Sequence, residues 1–308
     1  MHLGAVFSPH SPQVQAISDL FGYFLLLAAV IFLIVAGLVG YGIVRYRARA
    51  GAAEPRQTFG SRTLEITWTA VPLLIVIALF TLTVRTMASI DAPLTPDEPA
   101  DLVITGHQWW WEAHYPNGAD VGNEIHVPAG RRLLARIESV DVIHDFWVPQ
   151  LARKMDAVPG RPAYVWLEAD APGIYSGACA EFCGMQHAWM RFQVVAEPET
   201  DFSAWLARQA APPPEPVGES ATGVRVFQQL KCGDCHSVSP ADTRPLTGPP
   251  LAHIASRRLL GGEIPNTREN IERWIADPQS IKPGNRMMNP RLTADQARVL
   301  TAYLESLR

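Results

Sequence analysis

The chain withholds charge in two places. Phe21 to Val44 is a run of 24 residues with no acidic or basic side chain, and Ile66 to Val84 is a second run of 19. At about 1.5 Å rise per residue the first run exceeds what a roughly 30 Å hydrocarbon core requires, which excludes a purely soluble protein. It also starts too far in, and runs too long, for the apolar region of a secretory signal, and no cleavable signal is visible at Met1. Neither run contains a histidine, so neither can offer an imidazole to a metal or haem within a membrane. No basic run or basic–aromatic platform occurs, so the sequence points to no nucleic acid as partner. Cysteine is scarce, at four residues: Cys179, Cys183, Cys232 and Cys235. An even count outside the cytoplasm suggests disulfides, but both pairs lie inside short motifs that also hold His or Met.

What charge there is falls unevenly. Residues 1–85 hold 6 basic and 3 acidic side chains (+3), residues 86–220 hold 8 and 19 (−11), and residues 221–308 hold 12 and 8 (+4). The loop between the two runs carries Arg45, Arg47, Arg49, Arg56 and Arg62 against Glu54 alone. Positive residues mark the cytoplasmic side, so both termini and everything after the second span lie outside. Residues 1–90 are therefore expected to form a transmembrane hairpin, with spans of about 21–44 and 66–84. Glu65 stands at the cytoplasmic start of the second span. It fits an acid favoured by a helix N-terminus, or a proton-uptake group at a membrane entrance.

Residues 91–205 form the acidic middle. Short runs such as "DLVITG", "EIHVPAG", "AYVWLEA" and "RFQVVA", separated by turn residues, predict an antiparallel sandwich or barrel. Within it, "CAEFCGMQHAWM" (179–190) gathers two thiols, an imidazole and a thioether. Soft ligands of this kind select copper, zinc or iron–sulfur. Zinc would have no call for Met190, and a mononuclear blue-copper site needs one thiolate fewer. Two sulfurs can bridge two metals, which points to a binuclear copper centre. His144, ending the strand-like "DVIH", is the best source of a further imidazole.

Residues 206–220 are rich in proline and small side chains and read as a semi-extended linker. Residues 221–308 open on "CGDCH", the attachment signal of c-type haem. Cys232 and Cys235 would form the thioethers and His236 one axial bond. The second axial ligand is expected downstream in "IKPGNRMMNP", which offers Met287 and Met288, with His253 a third candidate. Capping-box patterns at Asn266/Glu269 and Thr293/Gln296 predict helices framing the haem.

Taken together, "PGIYSGACAEFCGMQHAWM", the upstream "DVIHDFW", "GHQWWWEAHYP" at 106–116 and "LEITWTAVP" in the second span resemble the subunit II family of cytochrome c oxidase. The likeness covers nearly all of residues 8–196. It implies a multidomain membrane protein: a two-helix hairpin, an all-β cupredoxin-like Greek-key domain and, in the tail, an all-α class I cytochrome c domain, as in haem-c-fused (caa-type) haem–copper oxidases. It implies copper binding by the side chains of His144, Cys179, Cys183, His187 and Met190. Glu181 would ligate copper through its carbonyl, and its carboxylate would help hold magnesium shared with the catalytic subunit. Trp109 would be the aromatic through which electrons enter, and Glu65 the entry of a proton channel. A KPGNxM pattern in similar fused cytochromes selects Met287, although the doubled methionine keeps Met288 open. "TGPPL" (247–251) resembles the segment whose proline carbonyl accepts a hydrogen bond from the axial imidazole.

The function this implies is electron entry into a respiratory oxidase of the bacterial plasma membrane. Electrons would pass from a donor (a cytochrome c, or quinol–cytochrome c reductase) to haem c, to two coppers, and on to subunit I, which reduces oxygen to water with proton translocation. The redox domains would face the periplasmic side, among lipid and other oxidase subunits. Two alternatives share parts of the pattern: the copper subunit of a nitric oxide reductase, and a membrane-anchored copper-delivery protein. A delivery site wants few, exchangeable ligands, so six clustered positions and a covalent haem argue against the second.

Overall fold

The computed structural model describes residues 7–308 except 52, 55, 56, 58, 94–98, 241, 243, 245 and 246, so Arg56 of the basic loop lies outside the described residues. The chain divides into two compact units, Gln15–Asp91 and the remaining described residues. The first unit is helical, with α1 at Pro12–Arg45 and α2 at Arg62–Ile90. Both helices outrun the uncharged stretches. Charge at Asp19, Arg62, Glu65 and Arg85 limits what can sit in hydrocarbon but does not stop helical hydrogen bonding. Large apolar side chains from Phe21 to Met87 point outward, as expected where lipid is the solvent.

The second unit begins with a β-sandwich. Its strands are β1 (Leu102–His107), β2 (Trp110–His114), β3 (Asp120–Gly122), β4 (Glu124–Pro128), β5 (Leu133–Ser139), β6 (His144–Trp147), β7 (Met155–Ala157), β8 (Ala163–Leu167), β9 (Gly173–Cys179) and β10 (Arg191–Glu197). They form two five-stranded sheets, ordered β3-β2-β1-β5-β8 and β4-β10-β9-β6-β7. The expected all-antiparallel pairing needs correction, because β1 runs parallel to β5 and β4 parallel to β10. The chain leaves the first sheet after β3, adds β4 to the other sheet and returns as β5. Such a crossing lays β5 beside β1 in the same direction.

Trp111, Phe146 and Phe192 fill the space between the sheets, with ring centroids 4.8–5.7 Å apart. Tyr115 anchors one end of this core. Its hydroxyl donates to the His126 carbonyl at 2.8 Å and accepts from the His126 amide at 2.9 Å. Burial pushes this phenol far above its ordinary range, so it stays protonated.

α3 (Glu199–Ala210) closes the sandwich through buried Phe202, Trp205 and Gln209. It runs into the segment read as linker, since its apolar face is still packing at those positions. The stretch without helix is 211–218, and α4 begins at Glu219. The tail domain has α4 (Glu219–Gln229), α5 (Arg268–Ala276), a short α6 (Pro278–Ile281) and α7 (Ala294–Ser306). α4 crosses α7 at Gly223, where a Cβ would fall 2.2 Å from the Val299 carbonyl oxygen. Only glycine permits that approach. The Thr293/Gln296 capping box forms as read. At α5 the cap is Thr267 instead of Asn266, whose amide donates to the Ile254 and Arg257 carbonyls at 2.7 and 2.9 Å.

Replacing Tyr115 by Phe strands two buried backbone groups of His126. The expected loss is about 1–3 kcal/mol of stability, checked by denaturant unfolding followed by tryptophan fluorescence.

Candidate copper and haem sites

β9 and β10 are antiparallel neighbours; β9 ends on Cys179, and the loop to β10 carries Cys183, His187 and Met190. Cys179 and Cys183 are free thiols with sulfurs 3.7 Å apart, too far for a disulfide. Each sulfur has its own imidazole. His144 Nδ1 lies 3.8 Å from the Cys179 sulfur, and His187 Nδ1 lies 3.7 Å from that of Cys183. The Met190 thioether is 3.7 Å from the Cys183 sulfur, and the Glu181 carbonyl is 3.2 Å from that of Cys179. The ligand atoms of His144, Cys179 and Cys183 lie within 4.8 Å of one another, all on buried residues. The Glu181 side chain is exposed.

The thiols do not behave alike. The Cys183 thiol hydrogen bond, with help from His144, holds Cys179 well below the usual thiol range against the effect of burial. The neighbouring sulfur and burial push Cys183 up. A first thiolate thus forms readily, and a cation is what would release the second proton. For His144 burial favours the neutral ring, but its bonds to Cys179 and Asp141 outweigh that and raise its pKa.

Asp141, which the sequence reading passed over, organises this end of the site. Its Oδ1 meets His144 Nε2 at 2.8 Å and accepts from the Val142 amide at 2.7 Å. Its Oδ2 accepts from the Gln108 amide at 2.7 Å. With Nε2 so engaged, Nδ1 is the nitrogen left for the sulfurs and any metal. Its place three residues before a candidate ligand was the available signal. Trp109 is half-buried beside the site. Its indole N–H and the Gln108 side-chain amide both donate to the Cys183 carbonyl, at 3.0 and 2.8 Å.

In the tail domain, Cys232, Cys235 and His236 follow α4. The His236 imidazole meets the Pro249 carbonyl through Nδ1 at 2.8 Å, which leaves Nε2 free to ligate. Burial keeps the ring neutral, against that hydrogen bond, and the charge of Arg257 adds to the effect. Gly248 leaves the ring its place, since a Cβ there would fall 2.5 Å from the imidazole. Met287 packs against the tail's apolar core, whereas Met288 is 84% exposed. His253 is buried and bonded through Nε2 to the Ala211 carbonyl at 2.8 Å. Glu65 belongs to the other unit, in the first turn of α2.

Comparison with known proteins bears on all three parts of the chain. Residues 3–84 match the transmembrane domain of cytochrome c oxidase subunit II, 119–197 its periplasmic domain, and 220–308 cytochrome c. Cytochrome c oxidase subunit 2 of Alkalihalophilus pseudofirmus is 37% identical over 97% of this chain and 90% of its own length. The chain belongs to the cytochrome c oxidase subunit II family. Its counterpart from Bacillus sp. strain PS3 is 34% identical, over 85% of this chain and 80% of the relative. That of Bacillus subtilis is 32% identical, over 87% and 82%. The protein is thus an oxidase subunit, anchored in a membrane by two apolar helices and carrying a cupredoxin-like and a cytochrome c domain. These domains imply copper and haem c, and the donor sets fit both: a sulfur pair flanked by two imidazoles, and a C-x-x-C-H with a neutral, oriented histidine.

Replacing Asp141 by Ala frees the His144 ring. Copper affinity is expected to fall about 10–100-fold, measured by competition with a chromogenic chelator, with haem content unchanged.

Proposed function

We propose that the chain is the electron-entry subunit of a haem–copper terminal oxidase. In this reading it takes electrons from a respiratory donor onto a covalent haem c and passes them through a two-copper centre to the subunit that reduces oxygen with proton translocation. The observation that carries it is the pairing of each Cys179/Cys183 sulfur with its own imidazole, which suits two bridged metals better than one. Bound there, copper and haem would supply one-electron carriers. The chain's own residues hold and tune them.

His144, Cys179, Cys183, His187 and Met190 would bind copper through side chains, and Glu181 through its carbonyl, which lies 3.2 Å from the Cys179 sulfur. The exposed Glu181 carboxylate would remain for magnesium at the boundary with the catalytic subunit. Cys232 and Cys235 would attach haem, with His236 and Met287 on the iron. The packing of Met287, and the exposure of Met288, support that choice. Trp109 would be the entry aromatic, touching the Cys183 carbonyl directly. Glu65 would open a proton channel shared with the catalytic subunit. The basic loop supports redox domains on the periplasmic side of a bacterial plasma membrane.

Purified protein is expected to hold two coppers per chain, by metal analysis, with an electron spin resonance signal shared between them. One copper per chain would instead mark a mononuclear site. Replacing Met287 by Ala is expected to lower the haem potential sharply in a redox titration, because thioether ligation raises it. The same replacement at Met288 is expected to leave it unmoved.

A further inference from the structure

The turn after α6 carries the cytochrome domain onto the copper domain's ligand loop. Gln186, one residue before His187, donates from its side chain to the Pro283 carbonyl. Arg286 donates to the side-chain oxygen of Gln108. Its guanidinium carbon also lies 5.4 Å from the centroid of the Trp109 ring. Gly284, at φ +86°, lets the backbone come this close, since a Cβ there would sit 3.2 Å from the Gln186 amide nitrogen.

The turn is braced from within. Gln279 donates to the carbonyls of Asn285 and Met287 at 2.9 and 3.0 Å and accepts from the Gly284 amide at 2.8 Å. Asn285 accepts from the Met287 amide at 2.8 Å. Arg286 is thus held on a rigid support, next to Met287.

We propose that Arg286 is a positioning residue for electron transfer within the chain. It clamps the 283–287 turn onto Gln108 and Trp109, and so holds the methionine side of the cytochrome domain against the indole that bonds the Cys183 carbonyl. This rests on the electron-entry reading above. The proline-rich 211–218 segment keeps the two domains at high mutual concentration but does not by itself orient them. Orientation needs a directional contact, and a planar guanidinium can stack on an indole while donating in its own plane. Lysine keeps the charge but loses the plane. Gln108 is itself fixed through its backbone by Asp141, so the clamp closes on a part of the copper domain that is already held.

The test uses the full chain loaded with copper and haem, comparing wild type, Arg286→Ala and Arg286→Lys. Hydrogen exchange at 183–187 and 283–287 reports docking. The rate of haem-to-copper equilibration after rapid haem reduction reports its consequence. Arg286→Ala is expected to raise exchange in both segments and slow equilibration about tenfold as the oriented population falls, with Arg286→Lys recovering only part. Copper content, haem content and both midpoint potentials should stay as in wild type. Unchanged exchange and rate in Arg286→Ala would overturn the proposal alone. A slowed rate accompanied by lost copper or a shifted potential would also overturn it, making Arg286 a fold residue. A wild-type chain that takes up no copper pair or no haem would overturn the electron-entry reading and this proposal with it.

Discussion

A backbone hydrogen bond from the Cys179 amide to the Met190 carbonyl, at 3.0 Å, closes the ligand loop, and the copper-site geometry descends from it. It continues the β9–β10 ladder, in which Ala178 faces Arg191 and Gly177 faces Phe192. A slip of one residue would turn Cys179 away from the core and carry the other ligands with it. The register is pinned from inside by Phe192, whose ring lies where a Cβ at residue 177 would be, 2.2 Å away. Core packing thus decides strand register, and strand register decides which sulfurs meet.

Much of this was legible because the chemistry is local in sequence. Three of the proposed side-chain ligands and the proposed carbonyl lie within residues 179–187, Met190 follows, and the haem attachment signal is contiguous. His144 could be picked out beside a β-branched run, although it opens β6 and does not end a strand as that run suggested. What escaped was carried by contacts across long sequence separations. Nothing local marks Gln108 as a partner of Cys183, or Arg286 as a partner of Gln108. The parallel pairings of β1 with β5 and β4 with β10 depend on where the chain crosses between sheets, which periodicity does not encode. Between Met287 and Met288 the KPGNxM resemblance selected the first and kept the second open, and packing tells them apart: Met287 lies on the tail's apolar core while Met288 is exposed.

Net charge proved a coarse guide to how the soluble domains meet. An acidic middle and a basic tail should attract, but the Arg258 contact with the Glu124 carboxylate, at 2.8 Å, comes from the backbone amide and carries none of the tail's charge. Among the described residues, a side-chain ion pair at 3.7 Å runs the other way, with Arg191 from the acidic domain and Glu263 from the basic one. Arg191 is about half exposed, so that pair adds little on its own. Lys282 is buried on the tail side, its ammonium lowered to about 8 by burial and only partly restored by Glu263. Shape and directional hydrogen bonds therefore orient the join, and the field of opposite charges adds only a screened, long-range pull.

Pro249 takes part in two contacts at once. Its carbonyl receives the His236 imidazole at 2.8 Å, and its ring lies against β3, where a Cβ on Gly122 would come within 2.8 Å of it. The hydrogen bond to an axial histidine sets the basicity of that ligand. A strand of the copper domain therefore leans on the residue whose carbonyl holds the His236 ring, the proposed axial base. Under the proposed haem ligation, parting the two domains would also disturb the hydrogen bond that holds the His236 ring.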